Sequence, residues 1–102
     1  MKITTQEIGL KLIVKAEGRI DTTTAAEYGT GINDALDDSS EEIKELVLDL
    51  GGVDYISSIG LRVMLELQKR MNNQGALKLI NVVPAVMEVF EMTGFTNILT
   101  IE

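Results

Sequence analysis

The segment Leu46-Val47-Leu48-Asp49-Leu50-Gly51-Gly52 decides the fold, because it is a short and almost wholly apolar run that ends in two glycines. Such runs are typical of a central parallel strand that other elements cover on both faces. The glycines predict that this strand ends and that the chain turns there. Either Ser57 or Ser58 can cap the helix that follows. The apolar residues of that helix recur at helical spacing and are Val63, Met64, Leu67 and Met71.

Before this segment, the sequence predicts a hairpin and a helix. Residues 3–8 and 10–16 are two extended stretches that meet at a glycine, and this favours an antiparallel opening pair. Apolar residues at helical spacing predict an amphipathic helix over residues 25–37. Asp21 and Thr22 supply candidate side-chain caps for the start of that helix.

After this segment, the sequence predicts a strand over residues 77–82, a helix with Pro84 in its first position, and a last short strand over residues 97–101. Strands and helices therefore alternate, and each later connection between strands is long enough to hold a helix. This order predicts an α/β fold. It consists of one domain over residues 1–102, with helices packed on a mixed and mostly parallel sheet.

The composition argues against several kinds of function. The chain contains neither histidine nor cysteine, which removes the usual general base, the commonest metal ligand and every thiol. We therefore expect no enzymatic activity, no metal site and no cofactor. The formal net charge of −7 disfavours a nucleic-acid partner, because a phosphate backbone would be repelled. The sequence suggests neither a signal peptide nor a membrane span, so we expect a cytoplasmic protein with no membrane partner.

Residues 48–62, which spell Leu-Asp-Leu-Gly-Gly-Val-Asp-Tyr-Ile-Ser-Ser-Ile-Gly-Leu-Arg, resemble the signature of the STAS domain family. In that family, a buried strand leads through an acidic and aromatic link to a serine at the start of a helix. Residues 18–21 with Thr24-Ala25, and residues 83–95, resemble other family segments and occur in the same order. The resemblance covers nearly the whole chain and implies a single STAS-like domain.

The resemblance also implies a regulatory protein of the anti-sigma factor antagonist type. In such proteins, the serine that matches Ser58 is phosphorylated by an anti-sigma factor that is a serine/threonine kinase, and a PP2C-type phosphatase removes the phosphate. The unmodified antagonist binds the anti-sigma factor and so frees a sigma factor. Carried over to this chain, the expected partner-binding residues are Asp21, Ser57, Ser58, Ile59, Gly60 and Arg62.

Three departures from the family pattern bear on this prediction. Many antagonists have aspartate immediately before the acceptor serine, whereas this chain has Ser57, which is therefore the alternative phosphorylation site. The position after the acceptor is often small, whereas here it is Ile59. The family's C-terminal helix is expected to be short or missing, because the sequence stops at Glu102. The area left exposed there favours a weak homodimer.

Two other interpretations are open at the level of sequence. Ser57 and Ser58 can be simple helix caps, which contribute about 1 kcal/mol, and Asp21 can be a cap for the first helix. Alternatively, the chain can be a constitutive STAS scaffold that is never phosphorylated. Such a scaffold would be a regulatory subunit of a stress-signalling complex or of a transporter.

Overall fold

The computed structural model describes residues 1–102, and its regular structure comprises five strands and three α-helices. In chain order these elements are β1 (Lys2–Ile8), β2 (Lys11–Ile20), α1 (Ala25–Asp38), β3 (Glu45–Ile56), α2 (Ser58–Asn72), β4 (Ala76–Ile80), α3 (Pro84–Met92) and β5 (Thr100–Ile101). A single turn of 3-10 helix, Phe95–Asn97, precedes β5. None of the helices has the length and apolar character needed to cross a membrane.

The strands form one sheet in the order β1-β2-β3-β4-β5. β1 and β2 pair antiparallel, whereas the other neighbouring strands pair parallel. The predicted opening hairpin and the predicted mixed, mostly parallel sheet are therefore confirmed. From β2 onward, each strand lies beside the one that precedes it in the chain. The connections between these parallel strands are crossovers, which in proteins are almost always right-handed. Successive right-handed crossovers in one direction place their helices on the same face of the sheet.

The core lies on this helix-covered face. One continuous cluster of 23 buried apolar residues includes side chains from all three helices and from β2, β3 and β4. Leu46, Leu48 and Leu50 of β3 belong to the cluster, whereas Val47, which alternates with them, does not. The opposite face carries charged residues as well as the buried side chain of Val47, and there Glu45 lies between Lys11 and Lys78. The prediction that other elements cover both faces of β3 is therefore wrong.

The predicted end of β3 at the paired glycines is also wrong. The strand continues to Ile56, and Gly52 pairs with Glu17 of β2 near a shift in register between the two strands. A side-chain carbon on Gly52 would lie 2.8 Å from Cγ of Glu17 and 2.9 Å from the carbonyl oxygen of Ala16. Gly52 thus allows two backbones to approach closely at an irregular part of the ladder. It does not turn the chain.

Two other strand boundaries differ from the prediction. β2 does not end at residue 16 but runs to Ile20, and it passes through Gly18 with a φ of 119°. This φ explains the glycine, because residues with a side chain rarely adopt it. The segment predicted as the last strand starts within the 3-10 turn, and only Thr100–Ile101 pairs with β4. The predicted start of α3 at Pro84 is confirmed.

Candidate functional site

The candidate site lies where β2 and β3 end side by side. Ile20 and Ile56, the last residues of the two strands, are register partners. The backbone N–H of Ser57 donates to the carbonyl oxygen of Ile20, with a nitrogen–oxygen distance of 2.7 Å. The turn that begins at Asp21 and the helix that begins at Ser58 therefore leave the same edge of the sheet. The structure thus brings together predicted residues that are distant in the sequence.

Ser57 is the N-cap of α2. Its backbone is extended, and its hydroxyl oxygen accepts a hydrogen bond from the backbone N–H of Gly60 at 3.1 Å. The residue is only 8% exposed. A group added to this hydroxyl would have to enter buried space beside the capping bond. The structural function of Ser57 at the start of the helix therefore disfavours it as a modification site.

Ser58 is the first residue of α2, and it is exposed. The backbone N–H groups of Ser58 and Ile59 make no hydrogen bond to another backbone group, as is usual in the first turn of a helix. Free N–H groups and the positive end of the helix dipole stabilise an anion at such a position. The surroundings of the Ser58 hydroxyl can therefore accommodate a phosphate without a change of fold.

Gly60 allows α2 to begin directly against the strand ends. A side-chain carbon at this buried position would lie 2.7 Å from Cγ2 of Ile20 and 2.7 Å from Cγ1 of Ile56. Both distances are too short for two carbon atoms that are not bonded to each other, so any larger residue would push the helix away from the sheet. Gly60 therefore supports the geometry of the site from beneath and offers little surface to a partner.

Asp21 organises the turn between β2 and α1. Its Oδ1 accepts hydrogen bonds from the Thr23 hydroxyl at 2.8 Å, the Thr23 N–H at 2.9 Å and the Thr24 N–H at 3.1 Å. These bonds, those from Thr23 first, lower the pKa of Asp21 from 3.8 to about 2. Thr24 directly precedes α1 but makes no side-chain capping bond. Asp21 caps the turn that leads into the helix, because its carboxylate accepts from the Thr23 and Thr24 N–H groups and its carbonyl oxygen accepts from the Ala25 N–H at 2.9 Å. The prediction of Asp21 as a cap is therefore confirmed, whereas Thr22 makes no such bond.

Arg19 and Tyr55 add an exposed aromatic surface to the site. The guanidinium carbon of Arg19 lies 4.2 Å from the centroid of the Tyr55 ring, and Nε of Arg19 lies 4.0 Å from Oδ2 of Asp21. Such stacking is attractive because the face of an aromatic ring is electron-rich. The ring is held in this position although Tyr55 is 41% exposed. Aromatic residues and arginine are enriched among the residues that contribute most to binding at protein interfaces.

Sequence reasoning missed both of these residues. Arg19 and Tyr55 are neighbours because they are register partners at a shift in the ladder between β2 and β3. Strand alternation alone does not predict such a shift. The available signal was an aromatic residue close to the paired serines in the sequence.

Ile59 and Arg62 lie on the other side of Ser58, along a groove between α1 and α2. The groove has a volume of about 320 Å³ and also includes Gly29 and Val63. The helices approach closely there, since a side-chain carbon on Gly29 would lie 3.0 Å from Cγ1 of Val63. Ile59 is 40% exposed, so a large apolar side chain reaches solvent there. The predicted residues Ile59 and Arg62 therefore present an accessible surface next to Ser58.

A family model for the STAS domain matches residues 2–102. The chain belongs to the STAS domain family. Among its relatives is BtrV of Bordetella bronchiseptica, which is described as a candidate anti-sigma factor antagonist. BtrV is 38% identical over 99 residues, which cover 96% of this chain and 83% of BtrV. The resemblance inferred from residues 48–62 is therefore confirmed at the level of the family.

Solved structures of other STAS proteins share the fold. An anti-sigma factor antagonist from Mycobacterium paratuberculosis matches with a TM-score of 0.85 and 21% identity, over 98% of this chain and 83% of that one. The phosphorylated form of SpoIIAA, the Bacillus cell fate determinant, matches with a TM-score of 0.72 and 14% identity, over 99% of this chain and 91% of that one. At such low identity, these likenesses establish the STAS fold alone.

Proposed function

We propose that this STAS domain is an anti-sigma factor antagonist controlled by phosphorylation of Ser58. The unmodified protein binds an anti-sigma factor kinase without catalysing a reaction, and so frees a sigma factor in the cytoplasm. Phosphate on Ser58 releases the kinase, and a PP2C-type phosphatase restores binding. The likeness to BtrV supports this class of partner. The observation that carries the proposal is the exposed Ser58 at the start of α2, between exposed Tyr55 and Ile59.

The geometry favours Ser58 over Ser57 as the acceptor. The Ser57 hydroxyl is buried and is used in the capping bond, whereas Ser58 faces solvent. Phosphate on Ser58 would gain from the free N–H groups and from the helix dipole. The fold would therefore persist after modification, as a reversible switch requires.

The same phosphate would oppose binding of a partner. It adds a charge of about −1.5 to −2 in the middle of the proposed binding surface. A partner docked on Tyr55 and Ile59 would have to desolvate that charge or be displaced by it. A loss of about 3 kcal/mol in binding free energy weakens a complex more than a hundredfold. The proposed surface consists of Arg19, Asp21, Tyr55, Ser58, Ile59 and Arg62, with Ser57 and Gly60 supporting it from below.

Intact-mass measurement after incubation with ATP and the serine kinase encoded nearest the gene tests the acceptor. We expect one phosphate on the parent and on the Ser57→Ala variant, and none on Ser58→Ala. The matched control is Ser40→Ala, which changes an exposed serine in the connection between α1 and β3. Phosphate that persists on Ser58→Ala but disappears from Ser57→Ala would move the site to Ser57.

Calorimetric titration of the same kinase without ATP tests the switch. We expect Ser58→Glu to weaken the complex at least tenfold. This effect is smaller than that expected for the phosphate, because glutamate carries only part of its charge. The Ser40→Glu variant should bind as the parent does. A kinase complex that forms without phosphate transfer, and that tolerates Ser58→Glu, would favour the constitutive STAS scaffold. The structure of a sulfate transporter family protein from Wolinella succinogenes, which shares the fold with a TM-score of 0.74, makes that outcome worth testing.

A further inference from the structure

A second groove runs between β1 and α1, and it shares no lining residue with the groove beside Ser58. Its volume is about 540 Å³. Ile3, Leu12 and Ala35 supply its apolar lining. Four carboxylates also line it, and these belong to Glu7, Glu27, Asp34 and Asp38. The groove therefore combines an apolar surface with a concentrated negative charge.

The groove lies along an open edge of the sheet. β1 is the outermost strand and pairs only with β2. Alternate backbone N–H and C=O groups of β1 therefore point away from the sheet without a partner strand. An exposed edge of this kind can accept an additional strand from another protein, which gains main-chain hydrogen bonds.

The charge around the groove selects the chemistry of such a strand. No lysine or arginine lines the groove. Glu27 lies 3.7 Å from the amino group of Met1, and Glu7 accepts a hydrogen bond from the Ser39 hydroxyl. Asp34 and Asp38 form no ion pair within the protein. The carboxylates that line the groove repel one another, and a strand with cationic side chains toward α1 would relieve that repulsion.

We propose that β1 accepts a basic strand from a protein partner, in which lysine or arginine alternates with other residues. The acidic residues of α1 extend from Glu27 to Asp38, which corresponds to about 16 Å along a helix. A strand of about five residues covers the same length. Because alternate side chains share a face, it would direct about three basic groups toward the carboxylates. Their alkyl stems would pack on Ile3 and Ala35.

Fluorescence anisotropy with a labelled peptide of alternating lysine and valine tests the proposal at physiological ionic strength. A peptide of the same composition, with all its lysines in one half, is the control for pattern. We expect the alternating peptide to bind more tightly, and Asp34→Asn/Asp38→Asn to weaken it about fivefold. The matched control is Glu88→Gln/Glu91→Gln on α3, which changes the net charge equally and should have less than a twofold effect.

Backbone amide shifts in NMR spectra locate the peptide independently. We expect the largest shifts at Ile3, Thr5 and Glu7 of β1. Equal weakening in both double variants would indicate unspecific attraction and would overturn the proposal, as would the absence of binding or shifts centred on α2. A concentration-dependent dimer that protects the β1 amides without peptide would assign the edge to a second copy of the chain and would likewise overturn it. None of these outcomes depends on the kinase or on Ser58.

Discussion

The hydroxyl oxygen of Ser57 lies 3.1 Å from the backbone nitrogen of Gly60 and accepts its hydrogen bond. This bond gives two adjacent and chemically identical serines different functions. Ser57 closes the first turn of α2 and is buried, whereas Ser58 follows it on the exposed side of the same turn. Because the structural hydroxyl is separate from the accessible one, the proposed modification of Ser58 would leave the cap of α2 in place.

Ser57→Ala should lower the free energy of unfolding by about 1 kcal/mol, because the Gly60 N–H loses its acceptor at the buried start of α2. Ser58→Ala should change it by less than about 0.5 kcal/mol, since Ser58 is exposed. Urea denaturation followed by circular dichroism measures both values. If Ser58→Ala lost more stability than Ser57→Ala, then Ser58 rather than Ser57 would be the cap of α2.

Gly60→Ala should lower the free energy of unfolding by about 1–3 kcal/mol, because the added carbon overlaps Ile20 and Ile56. Gly31→Ala is the matched control, since Gly31 is also helical and its added carbon would meet only Cδ1 of Ile3, at an ordinary 3.5 Å. We expect Gly31→Ala to stabilise the protein by up to about 1 kcal/mol. Thermal and urea denaturation of the two variants should therefore shift in opposite directions, and a common direction would contradict the packing described for Gly60.

Asp21→Ala should destabilise the protein at neutral pH and have less effect in acid. The pKa of Asp21 is lowered on folding from 3.8 to about 2, so its ionised form stabilises the folded state above pH 3.8. That contribution declines as the pH falls through about 2, where the folded protein also takes up the proton. Urea denaturation of parent and variant between neutral pH and pH 2 measures the difference. A difference that does not shrink over this range would refute the hydrogen-bonded carboxylate as its cause.

If the proposed function holds, Tyr55→Ala should weaken binding of the unphosphorylated protein to the proposed anti-sigma factor kinase at least tenfold, because aromatic side chains buried at an interface contribute strongly to binding. Tyr55→Phe should bind nearly as well as the parent, since it keeps the ring that stacks under Arg19. Isothermal titration calorimetry with each variant measures the dissociation constants. Parent-like affinity of Tyr55→Ala would place the interface elsewhere on the domain.

The sequence alone predicted the class of fold, and it pointed to the region of the candidate site. Alternating strand and helix patterns depend on nearby residues, and therefore the opening hairpin, α1 and the start of α3 at Pro84 were predictable. The segment from Leu48 to Arg62 also identified the STAS family. The assignment of Ser58 as the phosphorylated serine is still a prediction from that segment.

The tertiary structure decided how β2 and β3 pair and which surfaces remain open. Strand register depends on contacts between residues that are far apart in the chain. No local pattern could therefore show that β3 continues through Gly52 or that Arg19 stacks on Tyr55. For the same reason, the sequence left Ser57 and Ser58 equivalent as caps, and the docking of α2 against Ile20 made one of them buried and the other accessible.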